Sequence, residues 1–196
     1  IASKEVSDFS PQNPPFFFLL QDIHSPSLKV PDVLLEEPRK TLRQLKSSQE
    51  DKFYSRSIKL NNNTLTDLTN FNEVLSKMIT DISMLSWIDL SFNDLSAIEP
   101  VLTLYKNLKV LYLHGNSISS LSEVDKLACL PYLKTLTLHG NPIETEKGYR
   151  NYVVVTLPQV KKFDFSGVTK QDRATAKILQ AMYIKPKRAK KHTNNL

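Results

Sequence analysis

Leu108-Lys-Val-Leu111-Tyr-Leu113-His-Gly-Asn116-Ser-Ile118 decides how this chain is read, because its spacing recurs on either side. Upstream stands Leu85-Ser-Trp-Ile88-Asp-Leu90-Ser-Phe-Asn93-Asp-Leu95, and downstream Leu133-Lys-Thr-Leu136-Thr-Leu138-His-Gly-Asn141-Pro-Ile143. A fourth copy, without its leading leucine, is Ser55-Arg-Ser-Ile58-Lys-Leu60-Asn-Asn-Asn63-Thr-Leu65. The shared pattern is L-x-x-L-x-L-x-x-N-x-L, and self-similarity of this kind marks a solenoid. The L-x-L portion is a short strand whose side chains alternate between two faces. Ile88/Leu90, Leu111/Leu113 and Leu136/Leu138 are expected to point inward, each worth about 1.5–3 kcal/mol when fully buried. No rung buries its face alone, so the stack carries the stability. Asn63, Asn93, Asn116 and Asn141 are expected to turn the chain off the strand and to form a ladder that satisfies backbone groups freed by the turn.

The periods and their ends set the architecture. Leu60 to Leu90 is 30 residues, Leu90 to Leu113 is 23, and Leu113 to Leu138 is 25. The first is lengthened by an insertion in which Leu68, Phe71, Leu75, Met78, Ile79 and Ile82 recur at helical intervals. The later periods leave room for a helix or 3-10 turn on the convex side. Val160-Lys-Lys-Phe163-Asp-Phe165-Ser-Gly-Val168 reads as a degenerate last rung, with phenylalanines in the leucine slots and Val168 in place of asparagine. Thr169 to Tyr183 reads as a helix, capped by Thr169-x-x-Asp172, with Ala174, Ile178, Ala181 and Met182 on one face and Pro186 as the stop. The expected fold is thus an α/β solenoid with short parallel strands on the concave face. An extended Pro-rich arm (1–52) precedes four repeats (53–148), a C-terminal cap with its helix (149–184) and a basic tail (185–196).

Composition excludes several classes. Hydrophobic residues make up 40%, enough for a core, yet no apolar run nears the roughly 20 residues of a membrane-spanning helix. Phe16 to Leu20 is short and lacks a basic segment before it, so it is not read as a signal peptide. The single cysteine, Cys129, sits in an apolar run and reads as a buried small hydrophobe. The absence of cysteine clusters points to a reducing compartment, hence the cytoplasm. The net charge of +6 is uneven: residues 161–196 hold ten Lys and Arg against Asp164 and Asp172, which leaves −2 for residues 1–160. The run Lys185, Lys187, Arg188, Lys190 and Lys191 reads as a solvated terminus, a nuclear signal or a polyanion contact. The arm, rich in proline, either closes the solenoid's own open end or orders against a partner.

The candidate binding surface follows from alternation. Residues beside the inward pairs face the hollow side, and Lys59, Trp87, Asp89, Tyr112, His114, Thr137 and His139 are expected to form a protein-binding face there. Trp87 and Tyr112 are its natural anchors, since aromatics give large contact area at low entropic cost, unless the arm covers Trp87. His114 and His139 should lie on adjacent rungs about 5 Å apart. Two imidazoles at that spacing can share a metal, but no third ligand is evident, so a packed ladder is expected and no metal or cofactor. The four glycines build no phosphate cradle, and neither H-E-x-x-H nor G-x-S-x-G occurs. Neither an enzyme nor a small-molecule substrate is expected. The basic run has no aromatic stacking platform beside it, so no specific nucleic acid is expected either.

Beyond the repeats, several blocks occur in order: Trp87-Ile-Asp-Leu-Ser-Phe-Asn-Asp-Leu95, Glu146-Lys-Gly-Tyr-Arg150, Phe163-Asp-Phe-Ser-Gly-Val-Thr-Lys170 and Ile184-Lys-Pro-Lys187. On these the chain resembles the short intracellular leucine-rich repeat family. The resemblance implies a non-enzymatic cytoplasmic protein associated with ciliated cells. Its expected role is a structural component of the ciliary or flagellar axoneme, with other proteins as partners, tubulin and axonemal proteins among them in a large assembly. Acidic tubulin would attract the basic tail. The alternative is a soluble regulatory adaptor of a phosphatase, kinase or motor complex.

Overall fold

A computed structural model describes residues 18–19 and 52–183 of the chain. Its sheet runs β1 (Phe18–Leu19), β2 (Ser57–Lys59), β3 (Trp87–Asp89), β4 (Val110–Tyr112), β5 (Thr135–Thr137), β6 (Lys162–Phe163) and β7 (Ser166–Gly167), each beside the next. From β1 to β6 every pairing is parallel, and Ile58, Ile88, Leu111, Leu136 and Phe163 stand in one register. The strands are this short because only L-x-L has to be extended before the asparagine turns the chain. Strand β1 lies against β2 with Phe18 opposite Ile58, at the edge the first rung would otherwise leave bare.

The convex side is built from 3-10 turns at Pro100–Leu104, Leu121–Cys129 and Pro142–Thr145 and from helices α1 (Phe71–Met78), α2 (Tyr149–Thr156) and α3 (Lys170–Tyr183). Helix α1 is the insertion, and it buries Phe71, Val74, Leu75 and Met78, a helical i, i+3, i+4, i+7 face. Between the two sides lies a dry column in which Leu60, Leu90, Leu113 and Leu138 are each fully buried.

The asparagines bind the rungs together. Asn116 Nδ2 donates to Leu90 O and Leu113 O, both at 2.9 Å, and its Oδ1 accepts from Leu95 N–H at 3.1 Å. Asn93 joins Leu60 O, Leu90 O and Leu65 N–H in the same way, and Asn141 joins Leu113 O, Leu138 O and Ile118 N–H. Each amide therefore satisfies backbone groups of two successive rungs.

The residue before each asparagine adopts positive φ: Asn62 at 57°, Phe92 at 54°, Gly115 at 67° and Gly140 at 69°. At Gly115 a Cβ would lie 2.7 Å from the Phe92 ring as well. Gly115→Ala is expected to destabilise the fold by about 1–3 kcal/mol, through backbone strain and displacement of that ring. Gly167→Ala, with no heavy atom within 4 Å of its Cβ, should stay within about 0.5 kcal/mol of wild type. Urea denaturation of both variants measures the contrast.

Three sequence expectations are corrected. Phe163 fills its slot, but Phe165 is 61% exposed. Asp164 and Phe165 both adopt positive φ, 46° and 62°, and form a two-residue hairpin turn that folds β7 back antiparallel on β6. The stack ends by reversing the chain, not by weakening a rung. Helix α3 is capped as expected, with Asp172 N–H on Thr169 Oγ1 at 3.0 Å and Thr169 N–H on Asp172 Oδ2 at 2.9 Å. Of its expected face, Ala174 is exposed and Ile178 is 57% exposed, whereas Ala176 is buried; the side chains of Ala181 and Met182 lie outside those described. Cys129 is exposed, because the 3-10 turn directs its neighbours Leu127 and Leu130 inward and the thiol outward to Lys126 O at 3.3 Å.

Candidate docking surface on the concave face

Alternation places the expected residues on the hollow side but does not leave all of them open. Trp87, Asp89 and Thr137 are only 7%, 6% and 0% exposed. Asp89 Oδ1 accepts from Ser91 N–H at 3.0 Å and Ser91 Oγ at 2.6 Å, so this carboxylate holds its own turn. Thr137 Oγ1 lies 2.8 Å from His114 Nδ1. The Trp87 ring meets Tyr112 edge-on, with centroids 5.6 Å apart. Lys59, Tyr112, His114 and His139 are half-buried and remain at the surface. Side chains of the arm that could cover Trp87, and the basic tail Lys185 to Lys191, lie outside the described residues.

Two residues that the sequence reading did not assign to this surface complete it. Phe92 is 54% exposed and stands 5.0 Å from His114, edge to face. Phe165 reaches from the hairpin to Tyr112 at 5.8 Å, His114 at 5.7 Å and His139 at 5.3 Å. His114 and His139 stack with centroids 4.7 Å apart and planes 9° from parallel. The result is a continuous aromatic patch at the carboxyl ends of β3 to β5. A signal for Phe92 was present in the sequence: it is the phenylalanine at a turn position that the next two rungs give to glycine.

Asp164 anchors the patch from below. Its Oδ1 accepts from Leu138 N–H at 2.7 Å and His139 N–H at 3.0 Å, and its Oδ2 accepts from Tyr149 Oη at 2.8 Å. In the preceding rung the equivalent Leu113 and Gly115 N–H groups bond the carbonyls of Thr137 and His139. Where a further rung is missing, the side chains of Asp164 and Glu144 stand in, the latter accepting from Gly140 N–H at 2.7 Å. Burial, followed by the adjacent Asp164 carboxylate, holds the Tyr149 hydroxyl protonated far above the ordinary phenol range.

His114 has its pKa lowered, first by burial and then by the neighbouring His139. Above its ordinary value of 6.5 the imidazole is neutral in both folded and unfolded chains, and its contribution to stability is complete. Below that value the unfolded chain takes up a proton that the native chain resists, so stability is lost as pH falls through the lowered native pKa. Thermal melts of wild type should therefore decline as pH falls below about 6.5 more steeply than those of His114→Gln. Parallel profiles would show that the stacked pair does not couple to folding.

No group of three or more His, Cys, Asp or Glu among the described residues is arranged to hold a metal, and no described helix is long and apolar enough to cross a membrane. A groove of about 720 Å³ opens among Leu121, Asp125, Tyr152, Val155, Ala176 and Leu179, none of them part of the aromatic patch.

Comparison with known proteins gives a consistent result. A family model described as leucine-rich repeat matches residues 58–195. The chain is 53% identical over 193 residues to leucine-rich repeat-containing protein 51 of Macaca mulatta, covering 98% of each. It is 54% identical over 187 residues to the Bos taurus protein of that name, covering 95% of each. Among solved structures, the crystal structure of the Drosophila melanogaster SNF/U2A' complex contains a chain similar in fold, with a TM-score of 0.57 at 20% identity, over 78% of this chain and 91% of that one.

Proposed function

Because the chain belongs to the leucine-rich repeat family, alongside the proteins named leucine-rich repeat-containing protein 51, we propose that it is a non-enzymatic protein-binding scaffold that docks a partner on its aromatic concave patch. The observation that carries this reading is the pair of exposed phenylalanines, Phe92 and Phe165, both held at positive φ. A bulky residue in that conformation costs of order 1–3 kcal/mol, and such strain persists where function uses the side chain. Both residues keep more than half of their surface exposed in the free chain. Against a partner they would supply rigid aromatic contacts of the kind that dominate binding energy.

The finer assignment rests on the family resemblance: a structural component of the ciliary or flagellar axoneme, associated with microtubules. A photo-crosslinking amino acid at position 165 of the full chain, expressed in ciliated cells, should couple to one axonemal protein in the detergent-insoluble fraction. The same probe at Thr103, exposed enough on the convex side to react, should not. A crosslinked partner found only in a soluble stoichiometric complex would favour the regulatory adaptor. Equal yields from both positions would reject the concave patch as the docking site.

A further inference from the structure

The two rims of the solenoid carry opposite charge. Before each strand the chain passes through 53–57, 83–87, 106–110, 131–135 and 158–162, and no aspartate or glutamate occurs in any of these segments. They contain Arg56, Lys106, Lys109, Lys134, Lys161 and Lys162. The segments that follow the strands, 61–70, 91–99, 114–125 and 139–146, contain no lysine or arginine but hold Asp67, Asp94, Glu99, Glu123, Glu144 and Glu146 among their acids. Backbone bonds put the basic positions in file: Ser86 N–H on Arg56 O, Lys109 on Ser86, Lys134 on Lys109 and Lys161 on Lys134, all at 2.8 Å. Lys109, Lys134 and Lys161 thus occupy three successive rungs, about 4.8 Å apart.

Like charges placed opposite one another in neighbouring strands destabilise a sheet. Among the described residues no carboxylate pairs with Lys134, Lys161 or Lys162, and Lys161 and Lys162 are exposed. From this file we infer that the rim before the strands binds an acidic, extended segment of the partner polypeptide. The inference deepens the docking reading by assigning the partner's chemistry, and it rests on that reading. The file from Arg56 to Lys161 spans four rung steps, about 19 Å, which an extended chain crosses in roughly six residues.

A polypeptide fits better than a nucleic acid for two reasons. Single-stranded nucleic acid is held by successive rings beside the positive groove. The rings exposed at this rim, Tyr54 and Tyr132, are three rungs apart, and the aromatic patch lies at the other end of the strands. A broad polyanion laid over the concave face would also meet the acidic rim, whereas a narrow acidic segment stays on the basic one.

The test is fluorescence anisotropy of a labelled ten-glutamate peptide with the full chain at low salt. The triple variant Lys134→Glu, Lys161→Glu, Lys162→Glu is expected to weaken binding at least about tenfold, and Lys→Gln at the same positions severalfold, since three neighbouring charges act together. Lys147→Glu, Lys170→Glu, Lys177→Glu alters net charge equally on the C-terminal cap and should change affinity less than about twofold. Circular dichroism confirms that each variant is folded. Equal loss from both triples, or none from the rim triple, overturns the proposal, the latter placing the contact on the basic tail. A ten-nucleotide oligothymidylate that binds more tightly than the peptide and depends on the same lysines overturns it in favour of phosphate. Because these residues are distinct from Phe92 and Phe165, a failed crosslink at position 165 and a failed peptide titration are separate outcomes.

Discussion

Asn116→Ala is expected to lower stability by about 2–4 kcal/mol, and the melting temperature by roughly 4–16 °C. The substitution orphans Leu95 N–H and takes one of two amide donors from each of Leu90 O and Leu113 O, which keep Asn93 and Asn141 as partners. The unpaired N–H costs about 1–3 kcal/mol and each lost carbonyl bond about 0.5–1.5 kcal/mol, with partial relaxation keeping the total below the upper sum. Asn116→Asp tests the mechanism. Aspartate has the same shape and keeps the acceptor toward Leu95, but it loses both donors and sets a carboxylate against two carbonyls. It should be at least as harmful as alanine. If aspartate is tolerated, the ladder is not held by donation from Nδ2.

Asp164→Ala is the second large effect, about 2–4 kcal/mol, discounted because the carboxylate is 17% exposed. Its loss would strip partners from Leu138 N–H, His139 N–H and Tyr149 Oη at once. Leu138 N–H is a group that a further rung would have bonded, as Leu113 N–H donates to Thr137 O in the preceding one. Here the sign of the amide test reverses: Asp164→Asn retains an acceptor for the backbone pair and should recover about half the loss. Native-state hydrogen exchange gives the site-resolved result, with protection falling first at Leu138 and His139 while Leu90 stays protected. Uniform loss across the rungs would contradict a local cap.

The rungs were legible because their physics is local. Ile88, Leu90 and Asn93 need fixed spacing and nothing remote to declare a strand and its turn, and the helical insertion announced itself by the spacing of Leu68, Phe71, Leu75 and Met78. What escaped depended on partners distant in sequence or absent from the pattern. Phe163-Asp-Phe165 has the alternation of a rung, and only the lack of a following asparagine marks it as a hairpin. Alternation assigns Asp89 and Thr137 to the hollow side, but Ser91 and His114 decide that they are enclosed. Cys129 has apolar neighbours in sequence, yet a 3-10 turn separates neighbours by about 120° and exposes it. The stacked histidines were readable from adjacent rungs; Phe92 was marked only by standing where the next two rungs have glycine, and Phe165 carried no such mark, because residues of that size at positive φ run against local preference.

That conflict provides the most direct test of the docking account. The double variant Phe92→Gly, Phe165→Gly relieves the backbone at both turns, and Asp164-Gly suits a two-residue hairpin turn. Its melting temperature and its affinity for the crosslinked partner are measured on the full chain. The account predicts a melting temperature equal to or above that of wild type, with affinity reduced at least about tenfold. A destabilised variant that still binds the partner at wild-type strength would show that the rings serve the fold, and would contradict the account.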